Sequence, residues 1–101
     1  MISPNKEMFV VIADIQLKDE MVQQFMSWFE ESNKVLSKFD GFVSRRLLES
    51  DNGHHRIIVE HKSQETFKQM HQSEEHARLH AKAVTFMKKP PTPTFYKIVA
   101  G

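Results

Sequence analysis

Three of the six histidines in this 101-residue chain lie within one ten-residue stretch, at His71, His76 and His80. His76 and His80 are four residues apart, so on a helix both rings lie on one face. Imidazoles in that arrangement can bind zinc, ligate haem iron or move protons near neutral pH. The chemistry available to the protein therefore depends on where this segment lies in the fold.

The residue that follows His76 excludes the chemistry of zinc proteases. Those enzymes use the pattern H-E-x-x-H, in which the glutamate activates a zinc-bound water. Ala77 holds the glutamate position here. A zinc site of another kind needs a third ligand, and no spacing rule selects one among His71, Glu74 and Glu75. We therefore predict no metal site.

The composition indicates a single soluble globular domain over residues 1–101, with residues 1–7 as a flexible lead. Basic and acidic residues nearly balance, at 14 and 13, so no concentrated basic face is available for nucleic acid. The absence of cysteine excludes disulfides and thiolate sites. No segment resembles a signal peptide or a membrane span, which predicts a cytoplasmic protein without a membrane partner.

The hydrophobic pattern predicts the element order β-α-β-β-α-β. Strands are expected at 8–17, 42–50, 54–61 and 94–100, and helical segments at 19–38, 64–72 and 74–87. Asn52-Gly53 is a strong hairpin signal, and Asp19, Ser63 and Ser73 are candidate helix N-caps. This order is typical of the ferredoxin-like, or split βαβ, pattern, an α+β fold with an antiparallel sheet.

The first strand is apolar on both faces at its start, so both faces of the sheet should be covered. One chain supplies helices for only one face. We therefore expect a homodimer joined through the other sheet face, as in a dimeric α/β barrel. The alternative is a monomer with a partly polar open face, to which Arg45, Glu60 and Lys97 would contribute.

His76 and His80 border the apolar stripe of the last predicted helix. Border histidines often pack their ring edges against the core and keep one nitrogen in water. The alternative interpretation is that this border faces a cavity between helix and sheet. A neutral imidazole there could act as a base or bind iron.

Three features together carry a resemblance to a known family. They are the helix exit FDGF at 39–42, the hairpin, and the stretch HKSQETFKQMHQSEEHARLH at 61–80. The chain resembles the antibiotic biosynthesis monooxygenase superfamily of dimeric α/β-barrel proteins. The last stretch is similar, without gaps, to a segment of the superfamily's haem-degrading monooxygenases. By that resemblance His80 corresponds to the haem-ligating histidine.

The chain departs from the family pattern at three positions. Met70 stands where the haem degraders have a tryptophan against the haem. Ala13 falls near their first-strand asparagine, and His61 stands where a strand-end tryptophan is common in the superfamily.

The resemblance implies a monooxygenase that acts on an aromatic or quinol-like small molecule without a cofactor. His76 and His80 are the candidate catalytic residues, and His61 and His71 are further candidate bases. One alternative is a haem-binding or haem-degrading protein, with His80 as the iron ligand and Met70 beside the haem. Another alternative is a non-catalytic dimer that binds a ligand.

Overall fold

The computed structural model describes residues 8–101, and the predicted flexible lead at 1–7 lies outside the described residues. The strands are β1 (Phe9–Ile15), β2 (Phe42–Glu49), β3 (His55–His61) and β4 (Thr92–Lys97). The helices are α1 (Val22–Leu36), α2 (Gln64–His71) and α3 (Glu74–Ala83). Short 3₁₀ turns at Asp19–Met21 and Val84–Phe86 precede α1 and follow α3. The predicted element order and α+β class are confirmed.

The four strands form one antiparallel sheet in the order β2-β3-β1-β4. This is the ferredoxin-like topology that the sequence predicted. In the centre of the sheet Val11 lies opposite Val59 on one side and Phe95 on the other. Because side chains alternate along a strand, these three residues share one face. That face carries the helices.

The core lies between this face and the helices. On α1 the buried residues Phe25, Phe29 and Leu36 recur at helical spacing, so they form one stripe toward the sheet. The Phe25 ring is fully buried and packs edge-on against Phe86, with the ring centroids 5.6 Å apart. Side chains of β1 and β3 complete the core from the sheet side.

Two of the three predicted N-caps are confirmed. Ser63 Oγ accepts from the Thr66 amide at 3.1 Å, and Ser73 Oγ accepts from the His76 amide at 3.1 Å. The prediction for Asp19 was wrong, because the chain stays extended at Lys18 and Asp19 already lies in the first 3₁₀ turn. Its carboxylate pairs instead with Lys88 at 3.4 Å.

The predicted hairpin forms, with a three-residue loop. The Gly53 amide donates to the Ser50 carbonyl, and the Ser50 amide donates to the His54 carbonyl, each at 2.9 Å. Gly53 has φ +82°, whereas Asn52 keeps a negative φ. This is the arrangement of a type I turn followed by a glycine bulge.

A bulge in β2 decides which face its arginines occupy. The pairing of β2 with β3 shifts between Phe42 and Ser44, which places Arg45 opposite Val59 and therefore on the helix face. The expectation that Arg45 contributes to an open polar face was wrong for this reason. Arg46 occupies the outer face, where it pairs with Glu60 at 2.8 Å.

No helix covers the outer face among residues 8–101. Val10, Ile12 and Ile58 are half-buried at its centre, and Leu48 and Tyr96 are 46% and 48% exposed. Coverage of this apolar surface by a second copy stays a prediction. In the same part of the chain, no helix is both long and apolar enough to cross a bilayer.

Candidate functional site

A cavity of about 200 Å³ lies between the helix face of the sheet and the helices. Its wall is mainly apolar and includes Ala13 and Val59 from the sheet, Trp28 from α1 and Met70 from α2. Four polar side chains interrupt this wall. They are Arg45, His71, His76 and His80.

The three clustered histidines meet at this cavity because α2 ends where α3 begins. His71 is the last residue of α2, and the Ser73 cap starts α3 directly afterwards. The ring centroids of His71 and His76 lie 4.5 Å apart. The His76 and His80 rings are nearly parallel, with centroids 6.3 Å apart. Both histidines that the sequence selected therefore lie in the cavity wall.

His76 is the candidate proton acceptor. Burial lowers the pKa of its imidazole to about 4, and the positive charges of His71, Arg45 and His80 act in the same direction. His76 is therefore uncharged at neutral pH. A neutral ring nitrogen that faces a cavity can take a proton from a bound molecule.

Arg45 is the polar wall residue that sequence reasoning did not select. Its Nη1 donates to Ser32 Oγ and Asn33 Oδ1, both at 2.7 Å, and its guanidinium lies 4.1 Å from the centroid of the Phe29 ring. The Asn33 side chain also donates to the Arg45 carbonyl at 2.8 Å. Burial lowers the pKa of Arg45 to about 10, so the group stays cationic at neutral pH. One available signal was Ser32, a polar residue on the buried stripe of α1.

His61 is held apart from the cavity by its own hydrogen bonds. The ring is fully buried, with Nε2 3.3 Å from Met70 Sδ and Nδ1 3.0 Å from Thr66 Oγ1. Burial lowers the pKa of His61, and Asp40 opposes that effect. A thioether has no proton to give, so the neutral ring carries its hydrogen on Nε2 and accepts from Thr66. His61 is thus a core residue rather than a base at the cavity.

The cavity wall includes an imidazole that could ligate haem iron, that of His80, but the cavity has little room for a porphyrin ring. His80 is exposed at the rim, whereas Met70 is only 1% exposed and packs against His61. Pockets for drug-sized ligands enclose roughly 300–1,000 Å³. A cavity of about 200 Å³ favours a ligand smaller than haem. No group of three or more His, Cys, Asp or Glu side chains within residues 8–101 could hold a metal ion.

Comparisons with known proteins agree on the fold. The family model described as antibiotic biosynthesis monooxygenase matches residues 8–82. A conserved protein from Methanosarcina mazei Go1 is similar in structure, with a TM-score of 0.84 at 18% identity over 93% of this chain and 95% of that chain. SnoaB, a cofactor-independent oxygenase from Streptomyces nogalater, gives a TM-score of 0.83 at 10% identity over 94% and 96% of the two chains. No curated protein matches the sequence.

Proposed function

Because the chain belongs to the antibiotic biosynthesis monooxygenase family, we propose that it is a monooxygenase that acts on an aromatic or quinol-like small molecule. The observation that carries this proposal is the uncharged, part-buried imidazole of His76 in the wall of a mainly apolar cavity. The cavity supplies a mainly apolar site and His76 supplies a base. The similarity to a cofactor-independent oxygenase adds support.

The proposed reaction takes its electrons from the substrate. His76 removes a proton from an activated ring CH₂ group, and the resulting carbanion transfers an electron to O₂. Recombination forms a carbon–oxygen bond and gives a peroxide anion, which His76 protonates to a hydroperoxide. Loss of water then leaves a ketone. The sum converts R₂CH₂ and O₂ into R₂C=O and H₂O, so one oxygen atom enters the product and the other leaves as water.

His80 is proposed to assist at the rim of the cavity. Its ring lies beside His76, but it is exposed to solvent. An exposed imidazole exchanges protons freely with water. His80 can therefore carry a proton between His76 and solvent, while His76 does the abstraction.

We also propose that residues 1–101 act as one domain and that two copies associate through the outer face of the sheet. The half-buried apolar residues Val10, Ile12 and Ile58 support this arrangement. Burial of such a surface against an identical one gives a self-complementary interface. The dimer would leave the cavity on the helix side of each sheet.

Anthrone and ¹⁸O₂ provide the direct test. The wild-type protein should consume oxygen and place one labelled atom in anthraquinone, as read by mass spectrometry. His76→Gln should lower kcat by about 10²–10⁴-fold, the usual contribution of a general base. His80→Gln, the matched control on the same helix face, should lower kcat by less than about tenfold.

Two results would count against the proposal. Turnover unchanged in His76→Gln would remove His76 as the base. Saturable ligand binding without any oxygen consumption would favour the alternative of a non-catalytic binding dimer, which the departures at Ala13 and Met70 motivate.

A further inference from the structure

Within residues 8–101, the Arg45 guanidinium has no acidic partner. All ion pairs formed within residues 8–101 join other side chains. The polar contacts of Arg45 are a hydroxyl and an amide, and both are uncharged. A largely buried cation is costly unless a negative group compensates it. Among the described residues, nothing therefore compensates this positive charge at the cavity.

The donors of Arg45 are only partly used. A guanidinium has five N–H groups, and both hydrogen bonds found within the described part of the chain come from Nη1. Nε and Nη2 are left for a further acceptor. Arg45 lies in the cavity wall, so that acceptor can be a ligand.

The other polar groups of the cavity do not supply a negative charge. They are the imidazoles of His71, His76 and His80, and no Asp or Glu is among the described residues of the wall. Low-dielectric walls strengthen the attraction of such a site for anions. An anionic group would enter this cavity in preference to an uncharged group of the same shape.

We propose that the cavity binds small aromatic substrates through an anionic oxygen, a carboxylate or an ionised phenol, which pairs with the Arg45 guanidinium. This inference rests on the proposed function, because it names the substrate class of the same site. It also assists the proposed chemistry. An anion beside His76 offsets the cationic surroundings that disfavour its protonation, so the bound substrate strengthens its own base.

A purely structural role for Arg45 makes a different prediction. Its bonds to Ser32 and Asn33 tie α1 to β2, and their loss would loosen the protein. Such loosening would weaken the binding of charged and uncharged ligands to a similar extent. The charge dependence of binding therefore separates the two roles.

A matched pair of ligands tests the proposal without turnover. We would measure the binding of 2,5-dihydroxybenzoate and 2,5-dihydroxybenzamide by calorimetry under anaerobic conditions. The two share a quinol ring and differ in one charge. A charge-assisted hydrogen bond is worth about 1.5–3 kcal/mol, so the carboxylate should bind about 10–100-fold more tightly than the amide. The indole signal of Trp28, the single tryptophan, reports by NMR that binding occurs at the cavity.

Substitutions then assign the preference to Arg45. Arg45→Met should reduce the carboxylate-to-amide ratio to about one, and Arg45→Lys should retain part of it because the charge remains. Arg46→Met removes the same charge from the opposite face of β2 and should leave the ratio unchanged.

The proposal is overturned if the wild-type protein binds both ligands equally, or if Arg45→Met lowers the affinity for both ligands by the same factor. The wild-type comparison and Arg45→Lys carry the test if Arg45→Met does not fold. Failure of the proposed function would look different, since the carboxylate preference would persist while oxygen consumption was absent.

Discussion

His61 Nε2 and Met70 Sδ lie 3.3 Å apart in the fully buried part of the core. By the sequence resemblance, Met70 stands at a tryptophan position of the haem degraders and His61 at a position where tryptophan is common in the superfamily. These two departures therefore contact each other. The N–H of one residue meets the sulfur of the other. The pair therefore acts as one packing unit beneath the cavity.

A double-mutant cycle tests this pairing. Met70→Leu conserves volume but leaves the Nε2–H of His61 without an acceptor, which should lower the free energy of unfolding by about 1–3 kcal/mol. In His61→Leu/Met70→Leu the imidazole is gone, and the Thr66 hydroxyl can donate to the Ser63 carbonyl instead. In urea unfolding, the double variant should therefore lose less unfolding free energy than the two single variants lose in sum. The difference should be at least about 0.5 kcal/mol. Strict additivity would contradict the pairing.

Gly41 should tolerate a methyl group far less well than Gly53. Both glycines have φ near +80°, which costs an alanine about 1–2 kcal/mol. A Cβ on Gly41 would also overlap the Thr66 side chain at the start of α2, whereas one on Gly53 would meet nothing within 4 Å. Gly41→Ala should thus lower the free energy of unfolding by about 1–3 kcal/mol more than Gly53→Ala. Equal losses would show that α2 moves aside freely.

His76 should make the protein sensitive to mild acid. Its pKa is about 4 in the folded chain and about 6.5 when unfolded, so between these values the unfolded chain binds a proton that the folded chain does not. The stability that depends on an uncharged His76 is fully present above about pH 6.5 and is lost as the pH falls toward 4. The loss assigned to this ring is on the order of 1–2 kcal/mol, after a discount for its partial exposure.

Urea unfolding at pH 7 and pH 4.5 measures that loss. His71, His80 and Arg45 face the ring and stay in place in His76→Leu, so the comparison of interest is the wild-type protein against that variant. The variant should lose less stability between the two pH values. An identical loss in both proteins would exclude His76 as the sensitive group.

The outer face of the sheet should determine the oligomeric state. Ile58→Lys places an unpaired charge at the centre of the proposed interface and should raise the dimer dissociation constant at least about 100-fold. Gln23→Lys adds the same charge at an exposed position of α1 and should leave the dimer intact. Light scattering after size-exclusion chromatography measures the oligomeric state of both variants. A monomeric wild-type protein would refute the proposed dimer.

Haem titration tests the haem alternative. Because the cavity encloses about 200 Å³, we expect no saturable Soret shift that depends on His80. A sharp shift that is lost in His80→Ala but retained in His71→Ala would instead establish His80 as an iron ligand. An assay for haem breakdown with reductant and oxygen would then follow.

The sequence predicted the features of the fold that depend on local signals. Ser63 and Ser73 mark helix starts through their own backbone contacts, and Gly53 marks the hairpin through its φ. These preferences act within a few residues and can be read without tertiary structure. His76 and His80 were predicted to share a helix face for the same reason.

Arg45 could not be assigned in this way. The sheet face that Arg45 occupies depends on a bulge between Phe42 and Ser44, and no residue type in that segment predicts the bulge. Its hydrogen-bond partners lie twelve and thirteen residues away on α1, so they depend on how the helix docks on the sheet. The approach of His71 to His76 likewise depends on the angle between two helices, which helical periodicity does not define.

Asn33 holds both the main chain and the side chain of Arg45, since its amide donates to the carbonyl and accepts from the guanidinium. An unrestrained arginine side chain has about 2 kcal/mol of rotamer entropy to lose when it is fixed. Here that entropy is lost when the chain folds. An anion that reaches Arg45 meets a preorganised group, and the ordering cost that usually weakens binding is absent from its association.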